Sequence, residues 1–480
     1  MTEMKKKPNT VYDSKGTAYT FSLADEIGSG GQGKVFKTNH PNIVVKINKR
    51  REGADLLEER LQIQQVMRSS ARGLNIALPL DLLKLKNRVG YVMELMDGLE
   101  PLQAQIERLQ PDGTSLDLAF YRDTGGFGRR LRILRSLAEI LAKLHARGLA
   151  YGDLSPHNIF VSSSVEHHQV WLIDSDNIRT HEHCKTNAFF TKGYAAPEII
   201  RGESGSNIWT DCWSFAVIAL QLLAHAHPFN QGCAVEDENP DIGETNAERG
   251  EYPWILDSTD DSNAWTGSGF PVDQLMSSRI MQLFQRCFGD SRQVDGLSNR
   301  PTMAEWHHVL HRASQMILRC SASDCRNTFI YNASQQCPFC SEVCDPQTYV
   351  RFSHWLHIGD DLWDAQQSNE SVESRWTECS ENMILNLNDE MYLYHEPYSE
   401  FDMDMQQPWC KLALSMEGLH ISPEAGVTVQ LSNVSGSTTA QMTKHKVLNV
   451  QQKKRQRLCI SAPPKNHSAT MSRFFWQFIW

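Results

Sequence analysis

Apolar and polar positions change their period along the chain, and each change marks a different kind of element. Between residues 21 and 98 the apolar runs are short and strand-like. "KVFK" at 34–37 and "NIVVKIN" at 42–48 are separated by the turn cluster "NHPN". "DLLEERLQIQQVM" at 55–67 has helical periodicity, and "VGYVMELM" at 89–96 returns to a strand. After Gly98 the pattern is helical. "RILRSLAEILAKLHARG" sets Leu134, Leu137, Leu141 and Leu144 on one face, with Gly148 as the stop. "DCWSFAVIALQLLAHA" at 211–226 is apolar nearly all round and predicts a buried helix. Two more helices are expected in "GFPVDQLMSSRIMQLFQRCF" and "RPTMAEWHHVLHRA". The acidic stretch 236–261 that precedes them reads as a solvated loop. From about 346 the residues are β-branched and aromatic with Asn, Ser and Gly breaks. The end, "FFWQFIW", alternates, so Phe474, Trp476, Phe478 and Trp480 share one face of an expected buried strand. A membrane-binding tail is the alternative, but the run is too short to span a bilayer.

The chain has 480 residues, enough for more than one domain. A net charge of -10 argues against a general nucleic-acid binder. The basic run at 444–458 is read as a solvated hairpin. The start, "MTEMKKKPNT", is followed by no apolar core of a secretory signal, so the cytoplasm is the default compartment and no membrane partner is expected. Of 12 cysteines, five lie between Cys320 and Cys344. In a reducing compartment such clustering points to metal before disulfide. Cys320, Cys325, Cys337 and Cys340 form two close pairs across a short hairpin, the spacing of a structural Zn²⁺ site. Cys344 is near enough to stand in for one ligand.

The chemistry-bearing motifs come in order. "IGSGGQGKV" places Gly28, Gly30, Gly33 and Val35 where a backbone could fold over phosphates without Cβ interference. Lys46 lies in an apolar strand. It either faces water from an edge or is a buried phosphate-binding lysine that requires a carboxylate. In the next helix Leu56, Ile63, Val66 and Met67 make one stripe. Glu59 falls inside that stripe and Glu58 outside it, so Glu59 is the expected partner. "YGDLSPHN" holds Asp153 and Asn158, and "VWLIDSDN" delivers Asp174 after a β-like run. In phosphoryl transfer one aspartate orients the acceptor hydroxyl. A second aspartate and an asparagine hold Mg²⁺ or Mn²⁺ through hard oxygen ligands. Any one of these could equally be a turn-forming residue. "GYAAPEII" with Glu198, "TDCWSF" with Asp211 and "NRPT" with Arg300 complete the series.

Taken in this order, the motifs of residues 21–315 resemble a eukaryotic-type protein kinase domain. The resemblance implies an α+β, two-lobed fold with ATP in the cleft. Residues 1–20 would be a polar lead-in, 21–98 the N-lobe and 99–315 the C-lobe. A zinc-ribbon-like knuckle would follow at 316–345 and a β-rich domain at 346–480. It implies a hinge at "YVMELMDG", with Met93 at its entrance and the backbones of Glu94 and Met96 on the adenine. Glu198 would pair with Arg300, and Asp211 would brace the catalytic loop. "YGDLSPHNIF", "LIDSDN", "GEYPWILDSTDD" and the trailing cysteines resemble, more narrowly, a bacterial group of Ser/Thr kinases. In that group a metal-dependent protein phosphatase and a von Willebrand A-domain protein are frequent partners. Against the family pattern, Tyr151 and Gly152 stand for His and Arg, Ser155 for Lys, and Ser175-Asp176 for Phe-Gly. Loss of the arginine argues against switching by a phosphorylated loop, leaving Thr180, Thr186 and Thr191 as autophosphorylation marks. The expected activity is ATP- and Mg-dependent Ser/Thr phosphorylation. A pseudokinase scaffold and a small-molecule kinase are the alternatives.

Overall fold

The computed structural model describes residues 8–29, 33–50, 55–109, 116–181, 190–236, 239–267, 269–289, 294–358, 375–394, 408–433, 439–452, 456–461 and 473–480. Gly30 and Thr186 lie outside these. The chain divides into two compact units. One comprises Met1–Gly125, Arg132–Val272 and Ser278–His307, and the other Gly126–Leu131, Asp273–Ser277 and His308–Trp480. The division does not follow a single break at 315. The helix Gly126–His145 gives its first turns to the second unit.

The first unit opens on a five-stranded antiparallel sheet. Its order is Glu26–Ser29, Gly33–Lys37, Ile43–Asn48, Gly90–Glu94, Asp81–Leu82. Residues 9–21 are not a plain lead-in. Asn9–Tyr12 and Ala18–Phe21 pair as a hairpin. It packs Val11, Tyr19 and Phe21 against Phe36, Val45 and Val92 of the sheet and Leu83 beside it. Strands of four residues are too short to show a period in the sequence. On the other face the helix Leu56–Arg68 buries Ile63 beside Val44, Tyr91 and Met93, with Leu56 and Met67 packed against them. Asp55 caps it by accepting from the Leu57 amide at 2.8 Å.

The helical part of this unit is built on Gly126–His145 and Ile208–Ala224. Leu134, Leu137, Leu141 and Leu144 are all buried, and Gly148 ends the segment at φ 72. Asn207 caps the second helix, accepting from Trp209 and sharing a reciprocal box with Thr210. The acidic stretch is more than a loop. Pro240–Glu248 is a helix capped by Asn239, and Trp254 and Ile255 behind it are buried anchors. Among the described residues, no helix is long and apolar enough to cross a membrane.

In the second unit the hairpin Ile317–Arg319/Thr328–Ile330 carries the cysteines. Two sheets follow. One has six strands in the order Trp376–Asn386, Tyr349–His357, Arg473–Ile479, Arg457–Ser461, Val429–Asn433, Thr439–Met442. The other has four, ordered Glu390–Tyr394, Pro408–Leu414, Gly418–Pro423, Lys446–Asn449. Trp476, Phe478 and Trp480 enter the shared core with Leu412, Leu419 and Ile421. Phe474 stacks on His354 at 5.1 Å. The basic run is not a hairpin. Lys446–Asn449 pairs in the four-stranded sheet and Arg457–Ser461 in the six-stranded one, so the run passes from one sheet to the other.

Candidate active site

Four antiparallel pairings bring the site together. Val35, Lys46 and Tyr91 stand opposite one another across the first sheet, so their side chains share a face. Ile159–Ser162 pairs with Val170–Leu172, with Ile159 opposite Leu172. The Ile173 amide then donates to the Asn158 carbonyl at 2.9 Å, which sets Asp174 beside Asn158. Arg179–Thr180 pairs with Leu149–Ala150 and closes the other end of the loop.

Asp211 supports the loop between these strands. Its Oδ2 accepts from the Tyr151 amide at 2.7 Å and its Oδ1 from the Gly152 amide at 2.9 Å. His145 Nε2 meets the same Oδ2 at 3.0 Å. Tyr151 is fully buried and its hydroxyl donates to the Ile173 carbonyl. Gly152 has φ 93, and a Cβ there would lie 2.8 Å from the Asn177 carbonyl oxygen. Glycine is thus demanded by the backbone at this position. Ser155 is buried, and its hydroxyl finds no partner among the described residues.

Asp153 accepts from the Thr191 hydroxyl at 3.0 Å. Burial pushes its carboxyl above the ordinary value; bonds from Thr191 and the Lys46 charge pull the other way. Asn158 Nδ2 donates to the Asp153 carbonyl at 3.0 Å, leaving the amide oxygen for another ligand. Asp174 takes a left-handed conformation, φ 61, at the head of the short turn Ser175–Asn177.

Lys46 is buried and sits within hydrogen-bond reach of two carboxylates. One is Asp174 Oδ1; the other is Asp176 Oδ2, at 2.9 Å. The expected partner Glu59 is a correction. It lies half-buried on its helix and makes no side-chain hydrogen bond or ion pair among the described residues. The apolar stripe does lie on the buried side of the helix, but periodicity within one helix does not tell which carboxylate approaches from another element. Asp176 was missed because it follows the motif aspartate in a turn, where sequence offers no period to read. The helix contacts the segment through Gln62, whose Nε2 donates to the Ile178 carbonyl at 2.7 Å.

Of the other positions, Gly28 stands opposite Val35. A Cβ on Gly33 would meet the Ile47 carbonyl oxygen at 2.7 Å. Met93 closes the core behind the lysine strand, and Glu94 and Met96 follow at the strand's exposed end. Glu198 and Arg300 form a two-pronged pair, 2.7 and 3.0 Å, with both side chains fully buried. Arg300 also stacks over Trp213 at 4.8 Å.

The cysteine cluster is a second centre. The Sγ atoms of Cys320, Cys325, Cys337 and Cys340 lie within 4.8 Å of one another. Cys320 and Cys340 lie 3.5 Å apart and Cys325 and Cys337 3.8 Å apart. Tetrahedral zinc with Zn–S near 2.3 Å places its sulfurs about 3.8 Å apart. Burial pushes the Cys337 thiol up to about 12, and a bound cation would favour its thiolate. Cys344 lies outside this cluster, its Sγ 3.7 Å from the Arg319 carbonyl oxygen.

Lys46 meets Asp174 and Asp176 at the turn Ser175–Asn177, and the loop carrying Asp153 and Asn158 runs beside them. The chain belongs to the protein kinase domain family, whose sequence model matches residues 21–309, more than half of its length. It is similar to a serine/threonine-protein kinase, dkf-2, of Caenorhabditis briggsae, 27% identical over 31% of this chain and 13% of that protein. It is also similar to the serine/threonine-protein kinase pkn2 of Myxococcus xanthus, 25% identical over 44% of this chain and 25% of that protein. The maternal embryonic leucine zipper kinase of Danio rerio is 24% identical over 50% of this chain and 33% of its own length. The chain thus spans a third or less of each of these relatives.

Proposed function

We propose that the protein is an active Ser/Thr protein kinase that transfers the γ-phosphoryl group of Mg-ATP to a protein hydroxyl, its own included. The observation that carries this reading is the convergence of Lys46, Asp153, Asn158 and Asp174. Each group that would touch phosphate, metal or acceptor is retained. Asp153 orients the acceptor hydroxyl and receives its proton. Lys46 holds phosphate oxygens, and the Asp174 carboxylate with the Asn158 amide oxygen offers hard ligands to Mg²⁺. A magnesium ion held by Asp174 and Asn158 would supply positive charge to neutralise the phosphates. In this reading Gly28, Gly33 and Val35 cover the nucleotide, with Gly30 assigned there from the sequence motif alone, and Met93, Glu94 and Met96 frame its base. The work is positioning and electrostatic, so a Tyr-Gly before Asp153 does not disable it. Thr191 serves Asp153 directly, which argues against its being a phosphorylation mark, because a phosphate there would face a carboxylate.

The four clustered thiols fit a structural Zn²⁺, with Cys344 outside the ligand set. The resemblance extends the proposal to partners, a metal-dependent phosphatase and a von Willebrand A-domain protein, and to a cytoplasmic setting. The test is incubation with labelled ATP and Mg²⁺, beside Asp153→Ala and Asp174→Ala. Loss of general-base and metal positioning should lower the rate by about 10²–10⁴-fold. Labelling that survives both substitutions would contradict the reading. Nucleotide binding without transfer would favour a scaffold instead.

A further inference from the structure

We propose that Asp176, held by Tyr91, is the carboxylate that positions Lys46, in place of an acid from the helix Leu56–Arg68. The inference rests on reading the cleft as a nucleotide phosphate site. Lys46 is only 4% exposed in an otherwise apolar strand, so its ammonium requires a lasting counter-charge. Two carboxylates are in reach, and they differ. The Asp174 side chain is 21% exposed and that of Asp176 is 10% exposed. The more open carboxylate is the one free to turn toward a metal when nucleotide enters. The more buried one then remains on the lysine.

Both oxygens of Asp176 are already committed. Oδ2 takes Lys46 at 2.9 Å, and Oδ1 accepts from the Tyr91 hydroxyl. Tyr91 is the cross-strand neighbour of Lys46, with its ring 5.6 Å from Nζ. Burial, reinforced by the charge of Asp176, pushes the Tyr91 phenol well above its ordinary value, so it stays a donor. The backbone around Asp176 is fixed as well. Gln62 donates to the carbonyls of Asp176 and Ile178 at 3.2 and 2.7 Å. Ser175, fully buried, donates to the Ala77 carbonyl at 2.8 Å. The lysine is thus fixed from the turn that carries the metal aspartate, and among the described residues the helix meets that turn through the neutral Gln62 amide. Lysine placement then requires no inward movement of a charged helix.

The test uses the full chain with Mg-ATP and reads KM for ATP, kcat and equilibrium binding of a fluorescent ATP analogue. Asp176→Asn should raise KM for ATP and weaken analogue binding by about tenfold or more, the effect of one lost charge-assisted bond. Tyr91→Phe removes one hydroxyl, leaves the lysine pair in place, and should shift KM the same way by about threefold. Asp176→Glu should recover part of the loss. Glu59→Gln, whose carboxylate the structure places outside this cluster, should change KM by less than about twofold. Thermal melts report whether each variant is folded. The inference is overturned if Glu59→Gln reproduces the loss while Asp176→Asn binds ATP normally. It is also overturned if raised Mn²⁺ restores Asp176→Asn, which would put this carboxylate on the metal. A parent chain that neither binds nor turns over ATP would instead remove the kinase reading itself.

Discussion

At the residue scale, the odd loop "YGDLSPHN" is explained position by position. Tyr151 fills a buried site and bonds the strand that delivers Asp174. Gly152 cannot carry a side chain without strain, since its φ is 93 and the Asn177 carbonyl oxygen blocks a Cβ. Restoring an arginine there should therefore destabilise the fold by about 1–3 kcal/mol and not install a phosphate switch, as a denaturant titration of Gly152→Arg can measure. Asp153 yields a pH prediction. Its carboxyl is raised by burial, while the Thr191 bond favours the charged form and lowers it. Thr191→Ala should let the carboxyl rise further, so that protonation sets in earlier as pH falls. The acid limb of kcat/KM should move to higher pH, and Thr191→Ser should hold it in place. An unmoved limb in Thr191→Ala would deny the contact its role. Asp153, Asn158 and Asp174 were legible from residue type and order. Thr191 and Asp176 were not, because their roles arise from segments that meet only in space.

At the element scale, long helices and the hinge and lysine strands followed the apolar period. What escaped was short or mixed: the hairpin at 9–21 and the helix Pro240–Glu248 inside an acidic run. The basic segment was misread because a charge run reports solvation and says nothing about which strand it joins. The pair Glu198–Arg300 ties the short helix Pro197–Ile200 to the start of the helix Met303–Gln315, with Trp213 of a third helix beneath the guanidinium. Arg300→Ala leaves a carboxylate alone at zero exposure, and about 3–5 kcal/mol of stability should be lost. Arg300→Met with Glu198→Gln should cost less than the single change, which comparison of melting temperatures would reveal.

At the scale of the whole molecule, the two units are each assembled from separated stretches, so no boundary at one residue describes them. The second unit joins a cysteine hairpin to a two-sheet core. Elemental analysis of the purified chain should find about one zinc, and Cys337→Ser should abolish it. Cys344→Ser should keep the metal, because that sulfur lies outside the cluster. A strong chelator should lower the melting temperature of the parent and leave that of Cys337→Ser unchanged.

The sequence by itself determined the family, the order of the motifs and the four clustered cysteines, and it supplied the residues proposed to touch phosphate, metal and acceptor. These are local choices of residue type and spacing, fixed by the chemistry each must do. Only the tertiary structure decided which carboxylate meets Lys46, why Gly152 is a glycine and where the basic run goes. Each of those depends on groups from different elements arriving at one point, and the burial that makes such contacts matter exists only once the chain is folded.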